Sequence, residues 1–303
     1  MKILLTGASG LLGRSLMTEL APLAGSNGAL IGTARSRLNP PLRKLDLTDE
    51  AAVRAAFAEW SPTLVVHSAA ERRPDVVDGD PAGAERLNVD ATRLLAELAA
   101  AQGARFIYLS TDYVFDGTRP PYAVDAKTVP LNAYGRMKLA GEDVVRAAYA
   151  GRGGDDFALL RIPILYGRVE TLSESPVTEL AAKIIEGRAF KAEDWAMRYP
   201  AHVDDVARAL ALIAEHLMQG EPGIGGVYHF ASGEQFTKYG MALVIAQVLG
   251  ADAGLIAPDP NPPAGAPRPK DCRLDASRLA ALGFVPRIRL ADGLREALAP
   301  FGK

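Results

Sequence analysis

Tyr134 and Lys138 form a Tyr-x-x-x-Lys pair in a helical stretch. A spacing of four residues puts both side chains on one helix face. An ammonium beside a phenol favours phenolate, so the spacing predicts a Tyr134 pKa drawn down from about 10 toward working pH. Such a phenol can give its proton to a carbonyl oxygen while hydride reaches the carbon. Ser110-Thr111-Asp112 ends an apolar run upstream. There the Thr111 hydroxyl can bond the substrate oxygen and share its developing charge. Taken alone, the pair also describes an ordinary solvated helix face.

Hydride chemistry needs a carrier. Gly7-Ala8-Ser9-Gly10-Leu11-Leu12-Gly13 lies between the apolar run Lys2–Thr6 and a helical pattern carried by Leu11, Leu12, Leu16 and Leu20. Gly7 permits a tight turn, Gly10 lets backbone approach a diphosphate, and Gly13 lets the helix pack on the strand. The helix N-terminus then offers free N–H groups to the anion. Gly7, Ser9, Gly10, Leu11 and Leu12 are the expected contacts; the competing reading is a plain strand-to-helix turn. NAD sites usually end the second strand in an acid that binds the ribose 2′-hydroxyl. Here Thr33-Ala34-Arg35-Ser36-Arg37 holds none, and the guanidinium groups of Arg35 and Arg37 suit a 2′-phosphate. NADP(H) is therefore expected, against a merely solvated basic loop. Asp46, followed by Leu47, stands near the end of the expected third strand, either bordering the adenine or serving as a turn acid.

The elements that must position these groups alternate. Ala29–Ala34, Leu64–Ser68, Arg105–Ser110 and Phe157–Arg161 read as strands. Helices are expected at Thr48–Trp60 (Thr48 as N-cap), Glu85–Ala101 and Ala133–Tyr149. Near-continuous apolar strands separated by helices imply a parallel sheet covered on both faces. After about Arg161 the pattern loosens. Glu170–Glu193 holds a helix with no clear following strand, Val203–Met218 is helical, and Gly226–Ala231 resembles a returning strand. The Pro-rich Ala257–Pro269 is expected to be a loop, and Leu290–Leu298 a closing helix. The expected class is α/β: a Rossmann-type doubly wound parallel sheet over residues 1–165, re-entered at about 203–231. A small substrate-binding cap is expected from 166–202 and 232–303.

The 303 residues carry 34 Lys+Arg against 36 Asp+Glu, so no basic field marks a nucleic-acid binder. The single cysteine, Cys272, leaves no disulfide framework, and four scattered histidines make no zinc spacing. No metal is expected. A strand at the N-terminus and the lack of a long apolar segment read as a cytoplasmic protein without signal peptide or membrane span. The partner expected is a small molecule, with a homodimer left open.

Together these residues resemble the extended short-chain dehydrogenase/reductases. The strings Ser110-Thr111-Asp112-Tyr113-Val114-Phe115-Asp116-Gly117, Pro130-Leu131-Asn132-Ala133-Tyr134-Gly135 and Lys138-Leu139-Ala140-Gly141-Glu142 look like the dTDP-4-dehydrorhamnose reductase group. That resemblance implies Thr111, Tyr134 and Lys138 as catalytic residues, with Tyr134 and Lys138 also touching the cofactor. It implies Ala69, Ala70 and Ile162 along the cofactor, Asp112 and Tyr113 near a nucleotide-linked keto sugar, and Arg268 at the diphosphate of that substrate. His67-Ser68-Ala69-Ala70-Glu71-Arg72-Arg73-Pro74, Arg161-Ile162-Pro163-Ile164-Leu165-Tyr166-Gly167 and Thr237-Lys238-Tyr239 are similar to the regulatory beta subunit of methionine adenosyltransferase. That family implies a non-catalytic NADP-binding partner protein. Ile164 stands where rhamnose-type reductases carry Trp, and Glu170–Val177 replaces their Gly-Asn-Phe-like stretch. The regulatory family continues past Pro-Phe with a docking tail, where this sequence reads Pro300-Phe301-Gly302-Lys303; the same partnership is not expected.

Several residues read two ways. Arg72 and Arg73 either clamp a diphosphate or belong to a loop held by acids. Asp204 and Asp205 are read as first-turn charges, His67 as a core histidine, Asn88 as a packing amide or an active-site neighbour, Arg161 as a structural pair, and Cys272 as buried filler.

Overall fold

The computed structural model describes residues 1–152 and 154–302. Seven parallel strands form the main sheet: β1 (Lys2–Thr6), β2 (Ala29–Ala34), β3 (Arg43–Lys44), β4 (Leu64–His67), β5 (Arg105–Thr111), β6 (Phe157–Ile162) and, later in the chain, β10 (Gly226–His229). Their order is β10-β6-β5-β4-β1-β2-β3. The order reverses between β1 and β4, so a crevice opens above their carboxyl ends. Register sets Thr6 beside His67 and Thr111 beside Ile162, aligning the strand ends on one edge.

Both faces are covered, as the apolar strands require. One layer packs α1 (Leu11–Ala24) and α8 (Val203–Gln219) around Leu16, Leu20, Leu210 and Ile213. The other packs α2 (Glu50–Trp60), α5 (Ala91–Ala101) and α6 (Ala133–Ala148) around Phe57, Leu95, Phe106 and Tyr149. Two short helices, α3 (Pro74–Gly79) and α4 (Pro81–Glu85), lead into a π-turn at Arg86–Asp90 that runs on into α5. A third core lies beyond the sheet's carboxyl edge, where α7 (Thr178–Ile185), α9 (Lys238–Leu249) and α11 (Leu290–Leu298) meet over Leu180, Met241, Ile245 and Leu294. Leu279 of α10 (Ser277–Ala281) and Phe284 instead join the core of the main sheet.

Three local expectations are corrected. Asp49, not Thr48, caps α2: its side chain accepts from the Ala52 N–H, while Thr48 Oγ1 donates to Asp46 at 2.7 Å. The helix α7 is followed by a strand, β8 (Phe190–Glu193). Two-residue strands β7 (Leu165–Tyr166) and β9 (Ala201–His202) also pair. The partner of β8 is β11 (Ile256–Asp259), which runs into the stretch expected to be loop. Pro258 is tolerated there because β11 has a neighbour on one side only, so its missing donor faces away from the ladder. Among the described residues no helix is long and apolar enough to cross a membrane. No cluster of three His, Cys, Asp or Glu stands ready for a metal among them either.

Candidate active site

A cleft of about 800 Å³ lies along the carboxyl edge of the sheet. Its first wall is the glycine loop. Gly7 adopts φ +71°, and a Cβ there would stand 2.9 Å from Ala69. A Cβ on Gly13 would come within 2.1 Å of the Gly7 carbonyl, so both positions need glycine. No side chain caps α1 and no acid occupies its first turn. Its N-terminal N–H groups thus face the cleft beside Ser9, Gly10, Leu11 and Leu12, a cradle suited to a diphosphate. Leu47, Ala69, Ala70 and Ile162 line the same space.

Arg35 and Arg37 also line it, each with an acid in attendance. Arg35 Nε lies 3.2 Å from Asp46, an exposed pair of little energetic weight. Arg37 is bound by Glu174 and, at 3.3 Å, by Glu170. Glu174 also takes Arg14 at 2.7 Å, and its carbonyl accepts from Arg72. Burial would raise the Glu174 carboxyl, but hydrogen bonds from Arg14, the Glu170 N–H and Arg37 outweigh it and hold it at about 2. The segment 168–174 therefore straps across the cleft. Neither Glu170 nor Glu174 was legible as a partner of Arg37, since 133 and 137 residues separate them.

Thr111, Tyr134 and Lys138 meet at the cleft floor. β5 delivers Thr111, and Asn132 caps α6 through the Gly135 N–H at 2.8 Å, fixing the helix that carries the other two. Thr111 Oγ1 donates to Asp112 at 3.1 Å. The Tyr134 ring meets Tyr113 edge-on at 6.1 Å. The expected lowering of the Tyr134 pKa is not what this arrangement gives. Burial pushes the phenol well above its ordinary value, the Thr111 hydroxyl opposing. Lys138 Nζ sits instead 4.0 Å over the Tyr108 ring, and burial lowers its pKa to about 7 against the pull of Glu142. Asp112 moves the other way: burial raises its carboxyl to about 7, with Thr111 and Arg198 opposing.

α6 is held from behind. Buried Glu142 accepts from Arg161 Nε at 2.8 Å and Nη2 at 2.7 Å, from Ser110 Oγ at 2.6 Å and from Arg146 at 2.9 Å. His67 lies between Thr6 at 2.7 Å and Thr92 at 3.0 Å. Asn88 clamps both backbone groups of Glu71 and lies outside the cleft lining. Arg73 is taken by Glu71 at 2.9 Å. Asp205 accepts from the Arg287 and Ile288 N–H groups, and His202 caps α8; both are structural. Asp112, Tyr113, Arg72 and Arg268 all line the cleft, Arg268 paired with Asp75 at 2.9 Å. Sequence reasoning gave no role there to Arg198 or Lys238, which line it too.

The model of the RmlD substrate binding domain matches residues 1–302. The chain belongs to this family. The chain is 42% identical to methionine adenosyltransferase 2 subunit beta of Mus musculus, over 99% of this chain and 88% of that protein. It is 35% identical to a probable dTDP-4,6-dihydroxy-2-methyloxan-3-one 4-ketoreductase of Streptomyces antibioticus, over 98% and 94%. Among solved structures, a dTDP-4-dehydrorhamnose reductase of Clostridium acetobutylicum superposes with a TM-score of 0.84 at 27% identity, covering 99% of both chains. The chain is thus similar both to a probable sugar-nucleotide ketoreductase and to an adenosyltransferase subunit, and it shares the fold of the Clostridium reductase.

Proposed function

We propose that this RmlD-family protein is an NADPH-dependent reductase of a keto group on a nucleotide-linked sugar, with Tyr134 as proton donor. The observation that carries the reading is the meeting, in one cleft, of an uncapped helix N-terminus with Thr111, Tyr134 and Lys138. NADPH, when bound, supplies the hydride. The glycine loop and α1 would hold its diphosphate, with Ala69, Ala70, Leu47 and Ile162 alongside. Arg35 and Arg37 would face the 2′-phosphate, Arg37 exchanging a carboxylate partner for it. Thr111 would steady the substrate oxygen. The Tyr134 hydroxyl, a protonated phenol at working pH, would give its proton, and Lys138, one turn along α6, would hold the ribose. Asp112, Tyr113, Arg72 and Arg268 would surround the sugar. The 35% identity to the Streptomyces ketoreductase supports this substrate class.

The 42% identity to the mouse beta subunit favours a second reading, a non-catalytic NADP-binding regulatory subunit of a methionine adenosyltransferase. One experiment separates them. NADPH oxidation is followed with a panel of dTDP- and UDP-linked 4-keto sugars, and the protein is mixed with a methionine adenosyltransferase catalytic subunit on a sizing column. Turnover without co-migration upholds the reductase. Co-migration with no turnover on any sugar overturns it.

A further inference from the structure

Arg37, which the proposed reading sets against the 2′-phosphate of the cofactor, is already occupied. Its Nη1 donates to Glu174 Oε1 and, at 3.3 Å, to Glu170 Oε2. The two acids are not equal. Glu170 is half-exposed, whereas the Glu174 side chain is 12% exposed and gripped from several sides. Arg14, on the opening turn of α1, spans both its oxygens, with Nη1 at 3.3 Å and Nη2 at 2.7 Å. The Glu170 N–H adds a bond at 3.1 Å. Arg14 is itself moored to the Ser9 carbonyl at 3.2 Å and the Arg168 carbonyl at 3.0 Å. Glu174 thus belongs to a joint between the glycine loop, α1 and the strap 168–174, and Arg37 hangs from it as a half-exposed outer partner. Arg35 and Asp46, by contrast, meet at 3.2 Å in a pair open to solvent, which water screens. The donors around Glu174 hold its carboxyl at about 2, so it keeps its charge at working pH. A phosphate arriving on Arg37 would therefore meet a carboxylate that stays ionised and stays in place. The two anions repel and compete for one cation.

We propose that Glu174 sets the cofactor preference by competing with the 2′-phosphate for Arg37, an autoinhibitory contact that NADP(H) must break and NAD(H) leaves intact. NAD(H) carries a 2′-hydroxyl and asks no charge of Arg37. Specificity is a difference of two affinities, and a contact that opposes only one ligand narrows it. Glu174 therefore limits the margin by which Arg35 and Arg37 favour NADP(H). Because Arg14 keeps hold of Glu174, the exchange costs the outer ion pair and leaves the joint standing. The inference deepens the proposed reading and rests on it only for the place of the cofactor; it needs no turnover.

The test measures binding alone, by calorimetric titration of the full chain with NADP⁺ and with NAD⁺. Glu174→Gln should tighten NADP⁺ about fivefold, the upper weight of a partly exposed ion pair, and move NAD⁺ less than about twofold. Arg37→Met should weaken NADP⁺ about tenfold or more and spare NAD⁺, as loss of a contact between charged groups requires. In the Arg37→Met background, Glu174→Gln should change NADP⁺ less than about twofold, since the contested cation is gone. Glu174→Gln protein that binds NADP⁺ like the parent overturns the inference. So does one that binds it more weakly, for the acid would then position Arg37 and not compete for it. Equal tightening of NADP⁺ and NAD⁺ overturns it as well, as does the same gain without Arg37, which would be plain repulsion. A parent that binds no NADP⁺, or an Arg37→Met protein with the parent's NADP⁺ affinity, removes the cofactor placement and the inference with it. The expected pattern in a protein that reduces no keto sugar would leave the inference standing and remove the reductase.

Discussion

Glu142→Gln tests whether the catalytic helix is held by a buried ion pair. The substitution keeps the shape of the side chain and removes its charge. Arg161, with 3% of its side chain exposed, then faces no carboxylate. Glu142 carries the bidentate bonds of Arg161, the Ser110 hydroxyl and Arg146, so the loss falls on β5, β6 and α6 together. Removing one partner of such a pair costs about 3–5 kcal/mol. At about 2–4 °C per kcal/mol for large domains, the melting temperature should fall by roughly 10 °C. Denaturant titration supplies the free energy and scanning calorimetry the midpoint. Arg161→Met in the Glu142→Gln background should recover much of the loss, because the stranded charge is then gone. The single variants and the double together give the coupling. A Glu142→Gln protein within about 1 kcal/mol of the parent would refute the reasoning.

Two further outcomes follow from the same geometry. Glu174 is held at about 2, below its ordinary 4.5, by Arg14, the Glu170 N–H and Arg37. A depressed carboxylate stabilises above the unfolded value and loses that contribution as pH falls through the folded one. Glu174→Gln should therefore lower stability at pH 7 by about 1–2 kcal/mol, with the difference from the parent fading between about pH 4.5 and 2. Equal differences at pH 6 and pH 2.5 would contradict the assignment. Gly13→Ala would drive its new methyl into the Gly7 carbonyl and the Ala8 backbone. A cost of about 1–3 kcal/mol and weaker NADPH binding by fluorescence titration are expected; unchanged binding would argue against the loop as the cradle.

The sheet and the site were legible to different depths. Strands buried on both faces announce themselves as apolar runs, so β1, β2, β4, β5 and β6 could be read directly, and the glycine spacing fixed the strand-to-helix turn. The short β8 and β11 escaped because edge strands carry weak patterns and Pro258 argued against one. Apart from Asn88, every residue singled out for cofactor, substrate or catalysis lines the same cleft. What the chain order hides is which charges meet. The ammonium of Lys138 was expected to act on Tyr134, but the fold lays it on Tyr108 and lets burial dominate both groups. Glu174 and Arg37 are joined only by the fold. The Tyr-x-x-x-Lys spacing gave their shared helix face without giving the dielectric around them.

The central claim concerns the Tyr134 hydroxyl. Tyr134→Phe removes that one oxygen and keeps the ring that meets Tyr113. With a keto sugar the parent turns over, the initial rate of NADPH oxidation should fall by about 10²–10⁴, the span of general acid catalysis, while the Kd for NADPH moves less than about twofold. A purified Tyr134→Phe protein reducing the same sugar at the parent's rate would contradict the account.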